Sequence, residues 1–213
     1  MKTLFTLVFI SITSFVSSQC ISSFPHKEDF EKLTLLQQAN ASCDLTVKGD
    51  TGNIWKQDPN DGGDWRADTA GTPSVGTGPG ATSTTSGEGA GTDYSPGTRN
   101  GIYFYTEASS ATACTNANII LLSPCYDFSA SGKFYRLNFA YHMYGTGIGS
   151  LNVDVYDNGN WVNVWTKSGD QGPNWNLGNA NLANYKGTNV QIRIRSVMTA
   201  SAFNDIAIDA LTV

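Results

Sequence analysis

Beyond Asn100, three stretches alternate apolar and polar side chains. Along Tyr135 to Tyr144, one face carries Tyr135, Leu137, Phe139, Tyr141 and Met143, and the other carries Arg136, Asn138, Ala140 and His142. Leu151, Val153 and Val155 alternate with Asn152, Asp154 and Tyr156, and Val190, Ile192 and Ile194 alternate with Gln191, Arg193 and Arg195. Successive side chains of an extended chain point to opposite sides, so the pattern predicts strands with one buried face and one mixed face. Strand length and composition extend the prediction to Ile102–Ser109, Ala117–Pro124, Trp161–Lys167 and Asp205–Val213. Asp157-Asn158-Gly159-Asn160 is a hairpin signal, because Asn and Gly accept positive φ. Short strands divided by glycine-rich turns predict an all-β fold of two layers packed face to face.

The first hundred residues are less regular. Glu28 to Gln38 reads either as one short helix or as an edge strand at Asp29 to Leu33 followed by a loop. Gly49 to Asn100 is rich in Gly, Thr, Ser and Pro, with strand character only at "DWRAD", Asp64 to Asp68. The composition around Gly80 to Gly97 predicts a disordered insert. Residues 1–18 read as a secretory signal peptide: Lys2, an apolar stretch from Leu4 to Val16, then small residues at Ser17 and Ser18. The domain is expected to span 19–213. Gln19 before Cys20 is a poor match to a lipidation signal.

Export places the four cysteines in an oxidising compartment, where they read as disulfides. None forms a close C-x-x-C pair of the zinc type. A strand between Cys114 and Cys125 would hold them roughly 25–30 Å apart, which disfavours that pairing. Cys20 and Cys43 remain able to staple the N-terminal segment, and the partners stay open. The formal net charge of −5, without a Lys/Arg cluster, argues against nucleic acid as a partner.

These strands resemble the MAM domain, the family named after meprin, the A5 antigen and receptor phosphatase mu. The pieces that carry the resemblance run in order over most of the chain: "DFE" (Asp29 to Glu31), "DWRADTAGTPSVGTGP" (Asp64 to Pro79), "GIYFYTEAS" (Gly101 to Ser109), "ANIILLSP" (Ala117 to Pro124), "LNFAYHMYGTGIGSLNV" (Leu137 to Val153), "GDQGPNW" (Gly169 to Trp175) and "NDIAIDALTV" (Asn204 to Val213). The resemblance implies a jelly-roll β-sandwich of two antiparallel sheets, concanavalin A-like in shape. It also implies a secreted or cell-surface, membrane-associated role in adhesion and protein association, with His142 in the sheet motif and outside any catalysis. Cys20 lies earlier than the cysteine usual before "FE", Cys114 and Cys125 are displaced from the usual second pair, and the insert is unusually Gly/Ser/Thr-rich. These departures look like secreted bacterial versions of the module.

Catalytic signatures are missing from the sequence. It has no H-E-x-x-H and no G-x-S-x-G, and two histidines leave little room for a Ser-His-Asp triad. Its four glutamates, Glu28, Glu31, Glu88 and Glu107, form no E-x-D-x-E strand. A single structural Ca2+ fits better, since calcium accepts several oxygens in irregular geometry. If the first and last strands of the jelly roll lie side by side, Glu31 and Asp209 meet, and Asp64 with backbone carbonyls completes the shell; Asp29 and Asp205 are further acids nearby. Some members of the family hold such an ion.

Of the five tryptophans, Trp161 and Trp165 are expected to share one strand face with Asn163. With His142 they are the ligand-face candidates, although core packing competes for each. The function expected is a non-catalytic module that binds an extracellular protein or itself, with loops Gly145–Gly149 and Gly169–Trp175 setting specificity. A lectin-like glycan-binding module is the alternative, and a glycan hydrolase a more remote one.

Overall fold

The computed structural model describes residues 19–33, 55–108 and 116–213. The leader expected over 1–18, residues 34–38 of the N-terminal helix-or-strand segment, and Cys43 and Cys114 lie outside that set. The strands among the described residues are β1 (Lys27–Glu28), β2 (Lys56–Gln57), β3 (Arg66–Asp68), β4 (Tyr103–Thr106), β5 (Asn118–Leu122), β6 (Tyr126–Asp127) and β7 (Arg136–Met143). Then follow β8 (Ser150–Asp157), β9 (Asn160–Ser168), β10 (Asn176–Asn181), β11 (Asn189–Val190), β12 (Ile192–Val197) and β13 (Ile206–Thr212). One sheet has the order β10-β7-β13-β4-β3, with β1 also on β13; the other has the order β2-β5-β12-β8-β9. Their strand pairs are antiparallel. The result is a two-layer β-sandwich, as the alternation predicts, with the jelly-roll form that the resemblance implies.

The inward faces are the ones the period selects. Leu137, Phe139, Tyr141 and Met143 of β7, Ile206 and Ile208 of β13 and Phe104 of β4 share one core with Leu151, Val153 and Val155 of β8, Ile192 and Ile194 of β12, and Ile119 and Leu121 of β5. Full burial of each such side chain stabilises the fold by about 1.5–3 kcal/mol. The β8–β9 turn carries positive φ at both Asn158 (47°) and Gly159 (85°), which matches the right-handed twist of the flanking strands.

Two features depart from the sequence reading, and the cysteine pairing left open there is settled. The N-terminal strand lies at Lys27–Glu28, pairing with Leu211 and Thr212, ahead of the Asp29–Leu33 expectation. β10, with the sequence NLGNAN, was not anticipated; it closes the edge of the first sheet against β7. A disulfide joins Cys20 to Cys125. Around it, Ile21 N donates to Cys125 O (2.8 Å) and Asp127 N to Ile21 O (2.8 Å). Phe24 packs on Tyr126, Phe128 and Tyr135. Beyond it, His26 and Val213 exchange two backbone hydrogen bonds, each 2.9 Å.

The stretch Gly80–Gly97 is also ordered, as a series of turns, and corrects the expectation of disorder. With residues 69–79 it covers the outer face of the first sheet. Backbone meets backbone in this cover: Gly91 N donates to Ala70 O (3.0 Å) and to Gly87 O (2.9 Å). A Cβ on Gly91 would stand 2.6 Å from Pro79 O and 2.7 Å from the Gly71 Cα. The high glycine content thus serves close approach of three chain segments. Beneath the cover lies a second cluster of Tyr103, Tyr105, Ala207 and Trp175. Trp175 Nε1 donates to Thr92 O (2.9 Å) and Ser74 Oγ donates to Glu107 Oε1 (3.0 Å).

His142 belongs to this layer. It is 1% exposed, and its ring lies 5.6 Å from that of Trp175. Nε2 is 3.0 Å from Pro173 O; a carbonyl only accepts, so Nε2 carries the hydrogen and Nδ1 is bare. Burial, opposed by the Pro173 bond and by Asp170, lowers its pKa to about 4.

Two outcomes are expected. Gly91→Ala lowers stability by about 1–3 kcal/mol through overpacking, seen as a lower urea midpoint at unchanged slope. His142 binds its proton more weakly folded than unfolded, so its contribution is complete above pH ~6.5 and is lost as pH falls towards its folded value. The stability difference between the parent and His142→Phe therefore shrinks across that window, by up to about 1.4 kcal/mol per pH unit, in denaturation series at fixed ionic strength.

Candidate functional site

The outer face of the second sheet is polar and centred on Asp154. Its Oδ2 accepts from Arg193 Nε (2.7 Å) and Arg195 Nε (3.0 Å), and its Oδ1 accepts from Asn163 Nδ2 (2.8 Å). Burial works against the ionised carboxylate, but the bonds from Arg195, Asn163 and Arg193 prevail and hold it below the usual range. The Arg193 guanidinium stacks 4.5 Å from the Trp161 ring centroid, and Tyr156 lies 5.2 Å from Trp161 on the neighbouring strand. Arg195 Nη1 donates to Asn118 Oδ1 (3.1 Å). Next to these residues opens a cleft of about 560 Å³, lined by Asn60, Asp61, Asn116, Asn118, Arg193 and Arg195. Burial raises Asp61 to about 6, against backbone bonds from Gly63 and Ile120 and with help from Asp58 and Asp64.

The two tryptophans expected to share a face are separated. A bulge shifts the register of β9 between the Asp154–Asn163 and Val153–Trp165 pairs. One extra residue reverses the side on which all later side chains stand. Trp161 and Asn163 stay outside, whereas Trp165 turns inward onto Phe139 (5.0 Å) and Tyr141 (5.4 Å). Trp165 is thus removed from the ligand face and packs on the core.

A second surface forms at one end of the sandwich, where residues 72–78, 144–149, 169–175 and 199–204 meet. Gly169 N donates to Gly149 O (2.9 Å), Gln171 N to Met143 O (2.7 Å), and Gly147 N to Phe203 O (3.3 Å). Thr199 Oγ1 donates to Gly147 O (2.6 Å) and Gly149 N to Asn204 Oδ1 (2.8 Å). On this braced rim Val75 is 47% exposed and Phe203 43% exposed. The Phe203 ring lies against Gly76, beside Val75.

The acids expected to bind calcium divide between two places. Asp209 is fully buried on β13; its Oδ2 accepts from Tyr94 N and Ser95 N, both 2.9 Å, and its Oδ1 from Ala210 N (2.6 Å). Glu31 Oε1 accepts from Ile102 N (2.8 Å). Asp93, which the sequence reading missed, stands between them electrostatically. Burial and then Asp93 and Asp29 raise Glu31, against the Ile102 bond. Burial and Asp93, against three backbone bonds, raise Asp209 to about 7. Asp93 Oδ2 is buried and makes no hydrogen bond among the described residues.

Asp64 precedes β3 at the other end of β4, because Arg66 pairs with Tyr105 while Asp68 pairs with Tyr103. At strand spacing this separates it from Glu31 by roughly 15 Å along β4. Its electrostatic neighbour is Asp61. The oxygen-only donors Glu31, Asp93 and Asp209 suit a hard cation such as calcium. As placed, no three His, Cys, Asp or Glu among the described residues converge closely enough to form a ligand set.

Comparison with known proteins places this architecture. Over 119 residues the chain is 38% identical to MAM domain-containing glycosylphosphatidylinositol anchor protein 1 of Gallus gallus, covering 54% of this chain and 12% of that protein. Over 173 residues it is 30% identical to anchor protein 2 of the same name in Homo sapiens, covering 76% of this chain and 17% of that protein. The chain thus spans a small part of these relatives. The K3 cleaved adhesin domain of Lys-gingipain from Porphyromonas gingivalis superposes with a TM-score of 0.52 at 14% identity, covering 88% of this chain and 95% of that one, and shares the fold. No helix among the described residues is long and apolar enough to cross a membrane. The model of the MAM domain, meprin/A5/mu, matches residues 39–213, and the chain belongs to that family.

Proposed function

We propose that this chain is an exported, non-catalytic module that associates with an extracellular protein or with a second copy of itself through the loop end of the sandwich. The observation that carries the proposal is the rim of cross-braced loops that holds Val75 and Phe203 in solvent. Large side chains on a rigid frame lose little freedom when covered, so their apolar area contributes to association with a small entropic penalty. Family membership supports the reading, as does the use of the sandwich interior for packing alone. The cell exterior is its place of action, in keeping with the signal-like residues 1–18 and the Cys20–Cys125 disulfide.

The trio Glu31, Asp93 and Asp209 is proposed to hold a calcium ion that stabilises the fold. Calcium would neutralise the like charges that help to raise Glu31 and Asp209. Asp64 lies outside it.

Two measurements check these readings. Sedimentation of the chain over a range of concentrations is expected to show reversible self-association, and Phe203→Asp to weaken it by about tenfold or more with the melting point little changed. A monomer at every concentration, together with no extracellular partner sensitive to Phe203→Asp, removes the proposal. In thermal melts at neutral pH, calcium is expected to raise the midpoint by a few degrees and chelator to reverse the gain. Asp93→Asn is expected to abolish the response and Asp64→Asn to keep it.

A further inference from the structure

We infer that the outer face of the second sheet, from Tyr156 and Trp161 across Arg193 to the cleft at Asn118, is a binding site for a neutral oligosaccharide. The site is distinct from the loop end and independent of the association proposed there. Its first component is an aromatic platform. Tyr156 is 45% exposed and flanks Trp161, whose indole is held by the Arg193 guanidinium. The face of a sugar ring that carries C–H groups is apolar and slightly positive. It is attracted to the negative face of an aromatic ring while the hydroxyl rim stays wet.

The second component is a row of planar polar groups. Asn60, Asn116, Asn118 and Arg195 line the cleft. An amide presents a donor beside an acceptor, and a guanidinium presents paired donors, so each can engage two neighbouring hydroxyls at once. The cleft volume of about 560 Å³ falls within the range of small-ligand sites, about 300–1,000 Å³. Between platform and cleft the surface crosses β9, β8, β12 and β5. Three inter-strand spacings make roughly 14 Å, which suits several linked sugar units better than one.

Charge selects a neutral ligand. Arg193 and Arg195 direct their Nε atoms to one carboxylate, Asp154, and Asp61 supplies a second carboxylate at the cleft. The cations are therefore balanced, and no surplus positive charge is offered to a sulfate or uronate. The same balance separates binding from hydrolysis. Both oxygens of Asp154 are engaged by Arg193, Arg195 and Asn163, so Asp154 is not offered to Asp61 as the other half of an acid–base pair. A protein partner fits this face less well, because Tyr156 is its one large exposed aromatic among so many charged and amide groups.

The test is calorimetric titration of the folded chain with neutral hexasaccharides of glucose, of mannose and of galactose, with heparin and polygalacturonate as anionic probes. At least one neutral hexasaccharide is expected to bind, with a micromolar to millimolar Kd and no turnover. Tyr156→Ala and Asn118→Ala are each expected to weaken it by about tenfold or more while the melting point stays near that of the parent. Trp161→Phe, if it folds, is expected to remove the ligand-induced change in tryptophan emission. Phe203→Asp is expected to leave sugar binding intact, which separates this site from the loop end. Binding of none of the neutral probes, binding of the anionic probes alone, or binding insensitive to Tyr156→Ala and Asn118→Ala would overturn the assignment.

Discussion

The closure of two apolar sheet faces on one another is the constraint from which the rest follows. Leu137, Phe139, Tyr141 and Met143 have nowhere dry to go except against Leu151, Val153, Val155, Ile192 and Ile194. Once they meet, every intervening residue on those strands must face outward. The outer set on the second sheet, Asp154, Asn163, Arg193 and Arg195, is thereby brought together from the β8–β9 hairpin and from β12, distant in sequence. Its ion pairs are arranged by apolar packing on the opposite side of the same backbone.

The two outer faces then meet different fates. On the first sheet, Tyr103, Tyr105, Ala207, His142 and Asp209 are roofed by the glycine-rich segment, which supplies backbone N–H groups to Asp209 and a carbonyl to Trp175. That side becomes a second interior in which Asp209 and Trp175 find backbone partners, the condition under which such groups tolerate burial. The second sheet keeps its outer face open. The surfaces proposed here for recognition are that face and the loop rim.

The architecture was legible because alternation over eight or nine residues reports a sheet face directly, as in β7 and β8. What escaped had no such local signature. β10 consists of Asn, Leu, Gly and Ala, a composition that argues for a turn; it is a strand because it pairs with β7, where a Cβ on Gly178 would stand 2.4 Å from the Phe139 ring. The β9 bulge is masked because Val162 and Val164 are both apolar and Asn163 and Thr166 both polar, so either register reads acceptably. The roof over the first sheet has the composition of a disordered linker, and only the approach of Gly91 to Gly71 and Pro79 explains it. Among the acids, the candidacy of Glu31 and Asp209 followed from the adjacency of first and last strands, which β1 on β13 reproduces. Asp93 did not, since it reaches them through a loop. Asp64 was misplaced because a short strand beside a Trp says nothing about which end of its partner it joins.

The double hydrogen bond between His26 and Val213 has an architectural consequence. The chain enters β1 and leaves β13 side by side, at the pole away from the rim bearing Phe203. In a longer polypeptide, material joined ahead of or behind the domain would emerge from that shared pole like a stalk, with the rim as its outermost tip. Such a layout lets the domain be spliced into larger assemblies without obstructing the contact surface.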